Sequence, residues 1–115
     1  MINDGRTYAC RSESQCRSAL QQGIVTFSFY VESWFYSYSS GVIPKDSCAQ
    51  NASTNHCVNA VGYGSLANGG TYLIIKNSWG TNWGDNGYFK MEISDDYSSG
   101  VCGSFRNNWL SDHGW

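Results

Sequence analysis

Lys76-Asn77-Ser78-Trp79-Gly80-Thr81-Asn82-Trp83-Gly84-Asp85-Asn86-Gly87-Tyr88 is the most informative stretch of this 115-residue chain. It joins two segments of different pattern. Thr71 to Lys76 is a mostly apolar run, and Gly87 to Ile93 alternates apolar and polar residues like a half-buried strand. Asp85-Asn86-Gly87 reads as a turn, as do Gly62/Gly64 and Asn68-Gly69-Gly70 upstream. A third apolar run, Cys57 to Tyr63, precedes these two.

Working outward, Ile24 to Val31 is rich in β-branched and aromatic residues and predicts a strand. Ser12 to Gln22 predicts a short helix, with Ser12 as N-cap, Cys16, Ala19 and Leu20 on one face, and Gly23 at the stop. Glu32 to Tyr38 reads as a helical turn, and Gly41 to Ile43 as a short extended piece ended by Pro44. Lys45 to Asn55 is a polar loop. About four to six strands and one early helix predict an α+β, mainly β domain: an antiparallel barrel-like sheet with one short N-terminal helix. Residues 1–115 form a single domain on this reading.

Composition narrows the function classes. Charged residues make up 14% and aromatics 16% of the chain, with 13 glycines and one proline, which favours a folded strand-rich domain over disorder. A net charge of −2 gives no electrostatic reason to expect nucleic acid. No apolar stretch approaches the roughly eighteen residues that span a bilayer, so no membrane is expected. Met1 leads straight into Asn3-Asp4-Gly5-Arg6 rather than a signal peptide, the pattern expected of a processed or excised segment.

The five cysteines are Cys10, Cys16, Cys48, Cys57 and Cys102. An odd count in a short chain favours an oxidising compartment, with up to two bridges and one thiol left over. Cys10 and Cys16 can pair with each other, or Cys10 can bridge to a domain outside these residues. There is no Cys-x-x-Cys, and His56 is adjacent to Cys57 rather than staggered, so neither a metal site nor a cofactor is expected. Asn51-Ala52-Ser53 is an N-glycosylation sequon, making Asn51 a candidate for modification on a secretory route.

Taken singly, the remaining motifs are weak. Their order is not: Asn55-His56-Cys57-Val58, Val61-Gly62-Tyr63-Gly64, Lys76 to Gly84, Asn86-Gly87-Tyr88-Phe89 and Val101-Cys102-Gly103. Together they resemble the C-terminal domain of papain-like cysteine proteases, the family of papain and the cathepsins. The resemblance runs from Gly23 to Trp109, about three-quarters of the chain.

What it implies has a physical rationale. A thiol titrating near 8.5 becomes a stable thiolate when an adjacent imidazolium lowers its pKa to about 3–4, papain's own pair being the reference case. The resemblance places that imidazole at His56, which then protonates the leaving amine. It places the amide that orients the ring at Asn77, and the indole that shields their bond at Trp79. Trp83 matches a second tryptophan near the leaving-group side. Cys48 and Cys102 match a family disulfide whose loop closure is worth about 4 kcal/mol. Substrate-contacting walls fall at Ser28, Thr54, Asn55 and Cys57, with Asn107 on the floor. A rival reading makes Asn107 and Asn108 a solvated terminal turn.

The nucleophile is the departure. The family's Gln-x-Gly-x-Cys-Gly-x-Cys-Trp type motif does not occur in these residues, so the nucleophile-bearing N-terminal domain is expected to lie outside them, and none of the five cysteines is expected to replace it. Cys57 is expected to be a packed free thiol. The tail from Leu110 to Trp115 also departs from the family's closing strand. The expected function is thus the C-terminal catalytic subdomain of a cysteine endopeptidase, inactive alone, acting on polypeptide substrates in the secretory pathway (lysosomal, vacuolar or extracellular). Its partner would be the missing domain, another chain or a second copy, held through the exposed interdomain face. The rival expectation is a stand-alone non-catalytic binding, decoy or structural module derived from such a protease.

Overall fold

In the computed structural model the described residues are 10–47, 56–95, 101–104 and 108–112. The first element, α1 (Glu13–Gln22), starts where its capping chemistry dictates. Ser12 is extended, and its hydroxyl accepts from the Gln15 amide at 3.2 Å, while Gln15 Oε1 accepts from the Arg11 amide at 2.8 Å. The Glu13 amide, otherwise an orphan of the first turn, donates to Asp95 Oδ1 at 2.7 Å. Cys16, Ala19 and Leu20 form the buried stripe. The helix then passes directly into β1 (Gly23–Phe29).

Five further strands follow: β2 (Val42–Ile43), β3 (His56–Ser65), β4 (Thr71–Lys76), β5 (Tyr88–Ile93) and β6 (Asn108–Asp112). They hydrogen-bond in the order β2-β5-β4-β3-β1-β6. The expected mainly β domain with one helix is what forms. Two details of the expected sheet change. The ladder is open, with β2 and β6 as its edges, and β2 pairs parallel with β5 while every other pair is antiparallel. Between β1 and β2, which lie near opposite edges of the sheet, the chain passes through a 3₁₀ turn at Ser33–Ser37. That turn is the helical turn expected over Glu32 to Tyr38.

The inward row follows the period of two that strands impose. Val25 and Phe27, Val58 and Ala60, Leu73 and Ile75, and Phe89, Met91 and Ile93 are all buried, and α1 covers one end of them. Within this chain Cys10 and Cys16 form a disulfide with Cα atoms 4.9 Å apart, buried against this core.

The tail differs from expectation. Asn108–Asp112 is a strand, paired along the outer edge of β1 from Phe27↔Asn108 to Gly23↔Asp112. Its sequence has neither β-branched residues nor alternation, so the unsatisfied edge of β1 rather than local propensity makes it extended. Asn108 is not solvated either. It is 4% exposed; its Oδ1 accepts from the Cys10 amide at 2.9 Å, and its Nδ2 donates to the carbonyls of Cys10 (2.7 Å) and Ser104 (3.2 Å). Asn107 lies outside the described residues, as do Cys48, Asn51, Thr54 and Asn55. The Cys48–Cys102 pairing, the sequon and half of the expected substrate wall therefore have no structural description.

Candidate active site

His56 opens β3 and Asn77 immediately follows β4. Both belong to inward rows: His56 continues Val58 and Ala60, and Asn77 continues Leu73 and Ile75. The register Asn59↔Lys76 puts Asn77 opposite Val58, so His56 is its diagonal neighbour. At that offset Cβ atoms stand somewhat less than about 7–8 Å apart, a gap that two polar side chains bridge. The result is a contact of 2.7 Å between His56 Nε2 and Asn77 Oδ1.

A second bond fixes the direction of the first. Asn77 Oδ1 also accepts from the Ser78 amide at 2.8 Å, so this atom is the oxygen, and His56 Nε2–H must donate to it. The imidazole thereby carries its proton on Nε2, whatever the state of Nδ1. Asn77 is only 5% exposed, and its Nδ2 is buried with no hydrogen-bond partner. The oxygen of this amide is used fully and its nitrogen is not.

The loop between β4 and β5 sets this geometry. Its backbone takes positive φ at Gly80, Gly84, Asn86 and Gly87. At Gly84 a Cβ would lie 2.8 Å from the Tyr88 carbonyl oxygen as well as in a left-handed conformation, so only glycine fits without a shift. Local bonds close the loop: Gly87 N to Trp83 O at 2.8 Å, Asp85 N to Tyr88 O at 3.0 Å, and Asn77 N to Gly87 O at 3.0 Å.

Two indoles project from this loop. Trp79 lies against the imidazole, with ring centroids 5.1 Å apart and planes inclined at 31°. Trp83 meets Trp79 edge-to-face at 5.2 Å and 84°. Its Nε1 is buried without a hydrogen-bond partner, so its contribution here is packing. Behind both stands Phe35, fully buried, with centroids 5.4 Å from Trp79 and 4.8 Å from each of Trp83 and Phe89. Tyr36 stacks on Trp79 at 4.9 Å with the planes only 3° apart. Sequence reasoning gave neither Phe35 nor Tyr36 a role. The available signal was the aromatic run Trp34-Phe35-Tyr36 in a predicted turn.

The other expected site residues separate into groups. Ser28 and Cys57 face each other directly across β1 and β3. Cys57 is a half-buried free thiol, and Ser28 is buried with its hydroxyl unpartnered. Cys57 follows His56 on the strand and so belongs to the opposite row. Cys10 and Cys16 are consumed by their disulfide, and Cys102 is buried at 2% exposure with a left-handed backbone.

A histidine oriented by a hydrogen bond from one ring nitrogen to a neighbouring side chain is an arrangement that recurs in nucleophilic catalysis. Comparison with known proteins gives the same direction. The model of the "Papain family cysteine protease" family matches residues 2–109. The oryzain gamma chain of Oryza sativa subsp. japonica is 49% identical over 80 residues, which are 69% of this chain and 21% of that protein. Pro-cathepsin H of Mus musculus is 51% identical over 69 residues, 59% of this chain and 20% of that protein. Among solved structures, the bromelain protease from Ananas comosus in complex with the E64 inhibitor superposes with a TM-score of 0.73 at 36% identity, covering 88% of this chain and 47% of that one. The chain spans about a fifth of the length of the curated relatives it matches. With a family match across nearly its whole length, the chain belongs to the papain family of cysteine proteases.

Proposed function

We propose that this chain supplies the histidine and its orienting amide to a cysteine endopeptidase whose nucleophilic thiol comes from a domain or chain outside these residues. The observation that carries the reading is the 2.7 Å bond from His56 Nε2–H to a buried Asn77 Oδ1 beneath Trp79. A strand-terminal histidine with a purely structural task needs no acceptor held in place by a second donor.

The chemistry follows from that bond. His56 Nδ1 takes the proton of the incoming thiol, giving a thiolate–imidazolium pair. The thiolate attacks the peptide carbonyl carbon, and the imidazolium returns the proton to the departing amine as the C–N bond breaks. Water, deprotonated by the same nitrogen, then releases the acyl group and regenerates the thiol. Asn77 keeps the ring in one orientation through both proton transfers. Trp79 excludes water from the Nε2–H···Oδ1 bond and so strengthens it. Ser28, Cys57 and the residues expected around them form the wall that receives the substrate side chain.

The missing half would meet this chain across the face that carries His56, Trp79 and the 63% exposed Tyr36. Without it, the isolated chain associates with a second copy or another protein, and sedimentation as a dilute monomer counts against that. The buried Cys10–Cys16 disulfide supports an oxidising, secretory setting, lysosomal, vacuolar or extracellular.

The test is complementation. The chain is mixed with a separately produced, nucleophile-bearing N-terminal half of a papain-family relative, then given a fluorogenic peptide and E64. Turnover with E64 attachment to the added cysteine, both lost in His56→Ala, is the expected result. Equal labelling with the His56→Ala chain, or a stable complex that never turns over, would overturn the reading in favour of a non-catalytic module.

A further inference from the structure

The residue with the least obvious reason for its position is Tyr36. It is the most exposed large apolar side chain among the described residues, at 63%, yet its ring is not loose. It lies 4.9 Å from the Trp79 indole at an interplanar angle of 3°, the most nearly parallel of the ring pairs in this cluster. Trp79 in turn lies 5.1 Å from the His56 imidazole. The described ring contact of Tyr36 is with Trp79, so any influence on the imidazole passes through the indole.

We propose that Tyr36 is a positioning residue that holds Trp79 closed over the His56–Asn77 bond. Three neighbours fix the indole in different ways. Phe35 and Trp83 meet it edge-to-face at 70° and 84°, which limits its sliding within the core. Neither of those contacts lies flat on the ring. Tyr36 does, and a parallel contact resists the rotation that would swing the indole away from the imidazole. The 3₁₀ turn Ser33–Ser37 makes the division of labour feasible, because adjacent residues there reach the same indole from the buried and the exposed side.

This proposal rests on the reading of His56 and Asn77 as the proton-transfer pair, and its test needs neither a nucleophile nor turnover. The solvent-exchange rate of the His56 Nε2 proton is measured by nitrogen-15 NMR in the full chain. The variants are Tyr36→Ala and Tyr36→Phe, with urea midpoints as a control. An aromatic contact of ordinary strength biases the closed indole by about two- to tenfold, so Tyr36→Ala should accelerate exchange by that factor. Tyr36→Phe should restore the native rate, because the ring face and not the hydroxyl makes the contact. The urea midpoint should move little, since the side chain is largely exposed.

Unchanged exchange in Tyr36→Ala would overturn the proposal, and so would a Tyr36→Phe variant that behaves like alanine. Faster exchange that merely tracks a large fall in the urea midpoint would assign Tyr36 to general stability instead. Failure of complementation with normal exchange behaviour would count against the enzymatic reading and leave the indole-closing role standing.

Discussion

Phe35→Ala is the perturbation that tests most directly how the candidate site is held up. Phe35 is fully buried, and its ring contacts among the described residues include Trp34 at 5.9 Å, Trp79 at 5.4 Å, and Trp83 and Phe89 at 4.8 Å each. Truncating a buried phenylalanine costs about 3–5 kcal/mol from lost transfer energy and the cavity that remains. The three edge-to-face partners each add something in the range of about 0.5–1.5 kcal/mol beyond area, though not additively, so the upper part of that range applies. Two of the neighbours are bulky indoles on a loop fixed by its own backbone bonds, which limits how far the site can collapse. We expect a loss of about 4 kcal/mol in urea unfolding.

Against a whole-domain stability of about 6–17 kcal/mol for 115 residues, such a variant still folds. Its melting temperature should fall by roughly 17 °C, given about 0.24 kcal/mol/K of unfolding entropy for this length. Phe35→Leu should cost much less, because most of the volume is retained. A Phe35→Ala loss below about 2 kcal/mol would refute the reasoning. It would show that the indoles pack on each other and on Phe89 without a keystone.

Other substitutions separate further effects. Asn77→Ala should change stability by less than about 1 kcal/mol, because losing two bonds worth about 1 each is offset by removing a buried, unpartnered amide nitrogen. A larger loss in urea unfolding would mean that Nδ2 is satisfied by ordered solvent. Replacing both Cys10 and Cys16 with alanine should cost about 2–3 kcal/mol from the short closed loop and the lost sulfur packing, read as a melting-point drop of roughly 10 °C. No change would show that the Asn108 clamp alone fixes this segment. Tyr38 gives a pH signature. Burial lifts its phenol above the usual 10.0, opposed by the bond from the Lys90 amide and reinforced by Asp85. The unfolded chain therefore loses this proton first, and stability should fall as pH rises above 10 until the folded phenol also ionises. Tyr38→Phe should flatten that limb of the curve, at the cost of the 2.6 Å bond to the Gly41 carbonyl; an unchanged limb would assign the loss to other groups.

The candidate pair was legible in sequence because both members sit in short local motifs. Asn77 and Trp79 belong to one loop, and His56 begins an apolar run. The strands themselves were legible from a short apolar run at Thr71–Lys76 and from alternation at Tyr88–Ile93. What was not legible depends on distant partners. Asn108–Asp112 carries no strand signal of its own and is extended because β1 offers an unpaired edge. Asn108 looked like a terminal polar residue, yet it closes three bonds to segments that sequence pattern cannot bring near it. Tyr36 lies 43 positions before Trp79, and only the tertiary placement of the 3₁₀ turn against the β4–β5 loop brings the two rings together. The open sheet has the same origin, since pairing topology rather than hydrophobic period decides whether a ladder closes.

One irregularity connects the two ends of β3. Its inward row begins His56, Val58, Ala60, so strict alternation would turn Tyr63, an odd number of residues from His56, toward the opposite face. Tyr63 is nonetheless needed on the helix side, where its hydroxyl accepts from Gln21 Nε2 at 3.0 Å and its ring lies 5.3 Å from the Arg17 guanidinium. The bulge between Ala60 and Gly62 reconciles these demands. It inserts Val61, 40% exposed, as an unpaired residue, and the ladder resumes with Gly62↔Ile74 and Tyr63↔Leu73. Leu73 is inward, so Tyr63 is too. The shift is confined to the far side of Ala60, and the pairs Asn59↔Lys76 and Ala60↔Ile75 keep their phase. His56 and Asn77 thus meet across a regular stretch of ladder, while the correction that docks α1 is absorbed a turn of pleat away from them.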